Sequence, residues 1–285
     1  MSLDLGQVVK LLDLEELEVN IFRGYSPREE RERAFGGQVA AQALVAATRT
    51  VPADRVVHSL HSYFLRPGDV MAPIVYFVDR IRDGKSFTTR RVVAIQHGEA
   101  IFNLSASFQR PEPGVEHHLP MPTVVDPETL PTMQDRLRAM YGANVPERII
   151  RERPVDIRWA DPSPGWRPQK GGEPRGMVWM RADGKLPDNP HVHVAVLVYA
   201  TDFTLTETVM RPHGIHWLDK GVMTASLDHC VWIHREVKAD EWWLYVQDSP
   251  SAGGARGLAR GSIFDRAGHL VASVAQEVLL RTPQG

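Results

Sequence analysis

The chain has 285 residues, of which 43% are hydrophobic and 24% charged. This balance excludes an intrinsically disordered chain, which combines low hydrophobicity with a high net charge. The formal net charge of −2 also lacks the positive excess that non-specific binding to nucleic acids requires. A chain of this length predicts about two domains.

Cysteine content and the first residues bear on location. The single cysteine, Cys230, cannot form an internal disulfide, so the sequence does not call for an oxidising compartment. The first residues lack a basic segment followed by an apolar run, and no stretch approaches 18 apolar residues, so we expect neither a signal peptide nor a spanning helix. We therefore expect a cytoplasmic protein without membrane insertion and without a nucleic-acid partner.

In chain order, the first half predicts two helices and then a run of strands. Apolar spacing indicates a short helix within 3–17, which leads into a strand near 17–24, and the small-residue face of 36–50 indicates a buried helix. Apolar runs separated by turn signals then predict strands at 56–65, 74–82, 86–97 and 99–109. This order is α+β rather than alternating βαβ.

Proline marks the middle of the chain, because 12 of the 21 prolines lie between residues 111 and 174. We expect a linker there, with a helix at 130–141 and a strand near 155–159. The second half then repeats the order of helices and strands predicted for the first half. Helical tendency covers 191–201 and continues through 202–210, and strands are predicted at 178–182, 226–234, 242–249, 255–264 and 270–280.

The two halves can be set against each other residue by residue. An offset of 168 pairs His61 with His229, an offset of 169 pairs Ser107 with Gln276, and the turn at 83–86 then corresponds to 249–252. Two copies indicate a duplicated domain rather than a solenoid. A curved antiparallel sheet wrapped around a long helix is the hotdog arrangement. We therefore predict a double hotdog with a first repeat at 1–112, a linker at 113–154 and a second repeat at 155–285.

Several strings resemble acyl-CoA thioesterase II, and their order and spacing cover the chain from about residue 11 to 281. They are FGGQ at 35–38, HSLHSYFLRPGD at 58–69, RDGKSF at 82–87, RPHG at 211–214, SLDH at 226–229 and QE at 276–277. The resemblance implies an enzyme that hydrolyses fatty acyl-CoA to fatty acid and CoA. It also implies that no cofactor or metal is needed, and that the chain assembles as a homodimer or homotetramer.

The resemblance further implies catalytic residues in the second repeat, namely Asp202, Ser226 and Gln276. Many members of the family have Thr where Ser226 stands, and this exchange keeps the hydroxyl. Among the three, only Asp202 can act as a base for direct attack by water on a thioester. Ser226 and Gln276 can hold and orient that water.

Four further residues are predicted to bind substrate. Gly36 and Gly37 permit close backbone approach, and N–H groups at the start of a helix can stabilise an oxyanion. Gln38 stands beside them. Arg256 can contact the phosphates of CoA, or it is simply a solvated surface charge.

Other chemistries lack their motifs. His191 and His193 diverge on a helix and have no third ligand at suitable spacing, so no metal site is expected. A Gly-x-Ser-x-Gly elbow is absent, which argues against a serine nucleophile. We interpret His61 and His229 as residues that pack in strands.

Two alternative functions stay open at this point. One is a non-catalytic acyl-CoA-binding protein with a decayed site. The other is a hotdog acyl-CoA hydratase, whose chemistry uses an Asp–His pair, although no histidine lies within a few residues of Asp202 on its helix. Release of CoA thiol from acyl-CoA discriminates hydrolysis from both alternatives.

Overall fold

The computed structural model describes residues 4–27, 33–142, 154–161, 170–216 and 219–283. Within these ranges the helices are α1 (Leu5–Leu12), α2 (Gly36–Thr48), α3 (Met133–Tyr141), α4 (Pro190–Thr201) and α5 (Leu205–Met210). The strands are β1 (Glu15–Glu18), β2 (Ile21–Gly24), β3 (Val56–Phe64), β4 (Ile74–Asp83), β5 (Phe87–Gln96), β6 (Glu99–Gln109), β7 (Val155–Trp159), β8 (Arg175–Ala182), β9 (Met223–Ser226), β10 (Asp228–Ile233), β11 (Trp243–Gly253), β12 (Arg256–Asp265) and β13 (Leu270–Arg281).

The strands of the described ranges form one antiparallel sheet. Its order is β1-β2-β4-β5-β6-β3-β10-β13-β12-β11-β8-β7, and β9 adds to β13 beside this path. The strands of the first half occupy one side of the order and those of the second half the other. They meet at the pair of β3 and β10, where His61 lies opposite Cys230.

Helices α2 and α4 pack side by side, α2 also lies against β3 to β6, and α5 lies against β11 to β13. Small buried residues of α2, including Ala40, Ala43 and Ala47, let the second helix approach closely. Helix α4 is buried from His193 to Thr201. Two long helices held by one curved antiparallel sheet confirm the predicted α+β double hotdog.

Most element boundaries agree with the sequence prediction to within a few residues. One exception is the predicted strand at 226–234, which divides at Leu227. The Leu227 N–H donates to the Glu277 carbonyl in β13, and the Leu227 carbonyl accepts from the Phe64 N–H in β3. The backbone of Leu227 is therefore hydrogen-bonded to β13 on one side and to β3 on the other. A second exception is the helical tendency of 191–210, which is interrupted by a turn at 202–204 between α4 and α5. A third is the predicted strand near 17–24, which is a hairpin of β1 and β2 with its turn at 19–20.

The predicted turn counterpart at 249–252 is wrong. Strand β11 continues through Gly253 and carries a bulge between Asp248 and Ser251, where Pro250 is accommodated. The reversal lies at Gly254 and Ala255, which both have positive φ (57° and 60°). Two consecutive residues in this region form the tight turn that joins β11 to β12.

The predicted pairing of His61 with His229 is also wrong. His61 is exposed on the outer face of β3, where its ring meets Trp232 edge-on, whereas His229 is fully buried. Side chains alternate between the faces of a strand, so an alignment error of one residue exchanges inside and outside.

Bulges in the two half-sheets give the correct correspondence. Each half carries one extra residue near the start of its last strand, Ile101 in β6 and Val271 in β13. Matching these bulges makes Ala106, rather than Ser107, the counterpart of Gln276. Leu60 is paired with Ala106 in the first half, and it therefore corresponds to His229.

The predicted boundaries 1–112, 113–154 and 155–285 are kept as a proposal. The proposed linker lies between the end of β6 at Gln109 and the start of β7 at Val155.

Candidate active site

Helix α4 places Asp202 at its C-terminal end. The helix begins at Pro190, and the side chain of Asn189 accepts a hydrogen bond from the His191 N–H at 3.0 Å, a typical start of a helix. Asp202 is the C-terminal cap. A carboxylate at this end faces the negative pole of its own helix, so it needs donors from other elements.

The first of these donors comes from the opposite repeat. Helix α2 begins at Gly36, and the backbone N–H of Gly37 faces the Asp202 carboxylate closely enough to lower its pKa. The positive pole of α2 therefore meets the group that closes α4. The site therefore lies at the junction of the two repeats and takes one central helix from each.

Both glycines are required by this close approach. A Cβ on Gly36 would stand 2.8 Å from Asp202 Oδ2, and a Cβ on Gly37 would collide with the backbone carbonyl of Tyr199. Only glycine lets the first turn of α2 come this close to the end of α4.

The three side chains predicted to be catalytic form one hydrogen-bonded chain. Ser226, the last residue of β9, donates to Asp202 Oδ1 at 2.8 Å. Gln276, which is fully buried in β13, donates from Nε2 to Ser226 Oγ at 2.8 Å. Strand β9 holds Ser226 in register because it pairs directly with β13, with Ser226 opposite Val278.

Burial sets the electrostatics of Asp202. It raises the pKa of the carboxyl group above its ordinary value, because the ionised form loses hydration. Nearby His229 and the hydrogen bonds from Ser226, Gln276 and Gly37 act in the opposite direction and only partly offset this effect. The result is a carboxylate that is more basic than an exposed one and is still held by donors.

Sequence reasoning missed two residues beside this chain, His229 and Thr201. The ring of His229 lies 2.5 Å from Gln276 Oε1 through Nδ1 and 2.9 Å from Thr201 Oγ1 through Nε2. Burial lowers the pKa of His229. An alignment on the bulges would have placed this histidine on the inner face, directly beside the strand that carries Gln276.

The other predicted binding residues lie apart from the three side chains. Gln38 is buried, and its amide donates to the carbonyl of Tyr25 at 3.0 Å. Arg256 is exposed and forms an ion pair with Glu277 at 3.0 Å. A role for either residue toward substrate stays a prediction.

The corresponding place in the first repeat is filled by a different group. Ala106 lies opposite Arg90 there, whereas Gln276 lies opposite Ala259, so the large polar side chain stands on the other strand of the pair. Arg90 is fully buried and donates to the hydroxyl and carbonyl oxygens of Thr50. The site chemistry is therefore present in one repeat, and an arginine fills the equivalent space in the other.

Two features of the described ranges concern membranes and metal ions. None of the helices found there is long and apolar enough to cross a membrane. Among the same residues, His, Cys, Asp and Glu side chains form no group of three or more that could hold a metal ion.

Comparison with known proteins agrees with this architecture. The family model described as acyl-CoA thioesterase matches residues 152–279. The model described as acyl-CoA thioesterase N-terminal domain matches residues 26–109. Both halves of the double hotdog therefore match thioesterase models, and this defines the class of the protein as a thioesterase.

Individual relatives cover nearly the whole chain. Acyl-coenzyme A thioesterase 8 of Homo sapiens is 40% identical, over 96% of this chain and 88% of its own length. Acyl-CoA thioesterase 2 of Haemophilus influenzae is 38% identical, over 99% of each chain. The crystal structure of acyl-CoA thioesterase II TesB2 from Mycobacterium marinum matches with a TM-score of 0.80 and 44% identity, over 98% of this chain and 99% of its own. The chain belongs to the acyl-CoA thioesterase family.

Proposed function

We propose that the protein hydrolyses fatty acyl-CoA thioesters to a free acid and CoA, by direct attack of a water molecule that Asp202 activates. The observation that carries the proposal is the hydrogen-bonded chain from Gln276 through Ser226 to Asp202. Family membership and the names of the relatives support the substrate class.

Each side chain has one part in the proposed reaction. Asp202 accepts a proton from the attacking water while the water oxygen bonds to the thioester carbon, and its raised pKa suits a general base. The Ser226 hydroxyl and the Gln276 amide orient that water. The tetrahedral intermediate then collapses, the carbon–sulfur bond breaks, and the proton held by Asp202 neutralises the departing CoA thiolate.

The developing oxyanion requires donors as well. The Gly37 N–H is engaged by Asp202, and the Gln38 N–H donates to the Phe35 carbonyl. We therefore assign the oxyanion to the Gly36 N–H, at the positive pole of α2.

The two alternative functions have less support. A hydratase needs an Asp–His pair that reaches the substrate, and His229 does lie near Asp202. However, both of its ring nitrogens are engaged by Thr201 and Gln276, and the side chain is fully buried. A decayed binding protein would not need an intact chain of donors directed at a half-buried carboxylate.

The proposal also includes assembly and location. We propose a homodimer or homotetramer in the cytoplasm, on the resemblance to the thioesterase family and the expectations from composition. Light scattering of the purified protein tests the first statement, and fractionation of the producing cell tests the second. A monomer in solution would overturn the proposed assembly.

The decisive experiment measures thiol release from acyl-CoA substrates of increasing chain length. We expect the wild-type protein to release CoA and the Asp202→Asn variant to lose about 10²–10⁴-fold in kcat, the usual contribution of a general base. Absence of release at every chain length would overturn the assignment. Release that survives Asp202→Asn would keep the activity and discard the site.

A further inference from the structure

His229 and Gln276 contact each other on neighbouring strands beneath the proposed site. The pairing of Cys230 with Ala275 sets the register of β10 and β13, and it brings the imidazole of His229 alongside the amide of Gln276. The backbone of His229 is held as well, because Ser62 Oγ donates to its carbonyl at 2.7 Å. The histidine is therefore fixed at the base of the site and is fully buried.

The side-chain amide of glutamine can take two orientations that exchange the positions of its oxygen and nitrogen. The orientation decides which neighbour receives a hydrogen bond and which donates one. With Oε1 toward the histidine, the N–H groups of Gln276 face Ser226 and Asp202. In the reverse direction, its carbonyl oxygen would accept the Ser226 proton and remove a donor from Asp202. The two orientations have almost the same shape, so hydrogen-bond partners decide between them.

The hydrogen bonds on the other side of Gln276 select one direction. Ser226 Oγ donates its single proton to Asp202 Oδ1, so it must accept from Gln276, and this places Nε2 toward Ser226 and Oε1 toward His229 Nδ1. A carbonyl oxygen only accepts, so Nδ1 must carry a proton. Burial lowers the pKa of the ring, which favours the neutral form, and Nε2 is then an acceptor. Thr201 Oγ1 lies 2.9 Å from Nε2 and 3.0 Å from the Val198 carbonyl oxygen. Both are acceptors in this tautomer, so they share the single hydroxyl proton of Thr201.

We propose that His229 is a positioning residue which, as the Nδ1–H tautomer held by Thr201, fixes the Gln276 amide so that its N–H groups point to Ser226 and Asp202. The inference rests on the proposed function, because an oriented amide matters only if Gln276 acts on water or substrate. His229 acts through Gln276 and has no role of its own at the thioester.

The first repeat supports the idea that the two residues function as a pair. At the positions that correspond to His229 and Gln276 it carries Leu60 and Ala106, which lie opposite each other. Both polar groups are thus replaced together where the site is absent. This gives a substitution for the test, because leucine is a residue type that the same fold already accommodates at this position.

The kinetic test compares four variants with the wild-type protein: His229→Leu, His229→Asn, Gln276→Ala, and the double variant His229→Leu with Gln276→Ala. We expect His229→Leu to lower kcat about 10–100-fold and to leave KM for acyl-CoA within about twofold, because His229 does not touch the substrate. The amide of His229→Asn can replace the Nδ1 donor, so this variant should recover most of the lost rate. The double variant should be no slower than Gln276→Ala alone.

A matched control uses the other histidine at the junction. His61→Leu removes an outer-face ring from the neighbouring strand β3 and should leave kcat unchanged. Losses that multiply in the double variant, or a folded His229→Leu protein with the wild-type kcat, would overturn the proposal.

A spectroscopic test does not depend on turnover. In ¹⁵N-labelled wild-type protein, the ring nitrogens of His229 should show a protonated Nδ1 and an unprotonated Nε2, and a proton on Nε2 alone would overturn the assignment. If Asp202→Asn retains full activity, the proposed function of the site fails, and the tautomer still decides the statement about His229. If only the His229 variants behave as wild type, the proposed function stands and this inference fails.

Discussion

The rings of Phe35 and Phe203 stack with centroids 4.7 Å apart and an interplanar angle of 24°. Phe35 directly precedes Gly36, and Phe203 directly follows Asp202. The stack therefore joins the first turn of α2 to the end of α4, and Phe35 also meets the ring of Tyr199 edge-on at 5.2 Å. This contact sets the distance between a helix N-terminus and the carboxylate that the helix stabilises.

Replacing Phe203 with leucine should therefore change activity more than stability. The lost ring stacking amounts to about 0.5–1.5 kcal/mol, which lowers Tm by only a few degrees, about 2–4 °C per kcal/mol in a chain of this size class. We expect a clear fall in kcat, because the Gly37 N–H and Asp202 are no longer held at a fixed distance. Calorimetry and steady-state kinetics on one preparation measure both quantities.

The control for this variant is Phe87→Leu. Phe87 is partly exposed, and its ring meets His58 edge-on at 5.6 Å on another part of the sheet. Its loss should leave kcat unchanged. Equal kcat values for the two leucine variants would show that the stack does not set the site geometry.

Alanine at the two glycines of α2 should separate an effect on activity from an effect on stability. In Gly36→Ala the new methyl group meets the Asp202 carboxylate and the Phe64 ring, so we expect a large loss of kcat with a small change in Tm. In Gly37→Ala it meets the Tyr199 backbone carbonyl, which cannot move without shifting α4. We therefore expect a large fall in Tm for that variant.

Gly114→Ala is the matched substitution outside the site, since nothing lies within 4 Å of its added Cβ. It should change neither quantity. Wild-type activity in Gly36→Ala would contradict the close approach of α2 to Asp202.

The pH dependence of kcat should report the pKa of Asp202. The base is active only when ionised, so activity is lost as the pH falls through the pKa of this carboxyl group. Burial raises that pKa, and the acid limb of the profile should therefore lie above the ordinary carboxyl value of about 4. An acid limb at or below that value would contradict a base whose pKa is raised by its surroundings.

Ser226→Ala should move this acid limb further up. The serine hydroxyl donates to the ionised carboxylate and lowers the pKa of Asp202, so its removal favours the protonated form. Ser226→Thr keeps the hydroxyl and should return the limb to its wild-type position. A limb that stays in place in Ser226→Ala would show that the titrating group is not Asp202.

Charge reversal at Arg256 tests its predicted contact with the phosphates of CoA. The side chain is 55% exposed and pairs only at the surface with Glu277, so Arg256→Glu should leave Tm almost unchanged. If Arg256 attracts the phosphates, KM for acyl-CoA rises, kcat stays constant, and the effect shrinks as salt is added. Arg91→Glu, at a similarly exposed arginine paired with Asp79, provides the comparison. Equal KM values for the two variants would assign Arg256 to the surface alone.

Much of the fold was predictable from the sequence because the patterns that indicate helices and strands are local. Alternation and turn residues marked β3 to β6, and the small residues after Gly36 marked α2. The contact from His229 to Gln276 was missed for a specific reason. An alignment offset that was wrong by one residue paired buried His229 with His61, which lies on the outer face, and the bulges at Ile101 and Val271 reveal the correct register.

The candidate site was predictable only in its side chains. Asp202, Ser226 and Gln276 were identified by resemblance, and the structure brings them together. Gly36 and Gly37 predicted a close backbone approach at the start of α2, but the sequence did not indicate that the Asp202 carboxylate is what the Gly37 N–H approaches. The filling of the first-repeat position by Arg90 depends on pairing across strands that are far apart in the chain.

The large polar residue stands on the last strand in the second repeat (Gln276, opposite Ala259) and on the preceding strand in the first repeat (Arg90, opposite Ala106). The two repeats have therefore diverged at equivalent positions. In a dimer of identical hotdogs, every substitution appears twice, so a residue suited to one copy of the site is imposed on the other. Covalent joining of the repeats removes that constraint and lets each half specialise. One half supplies the base, while the other supplies a helix end and a rigid, arginine-filled wall. Each chain should therefore turn over a single acyl-CoA at a time, and either half expressed alone should lack part of the machinery.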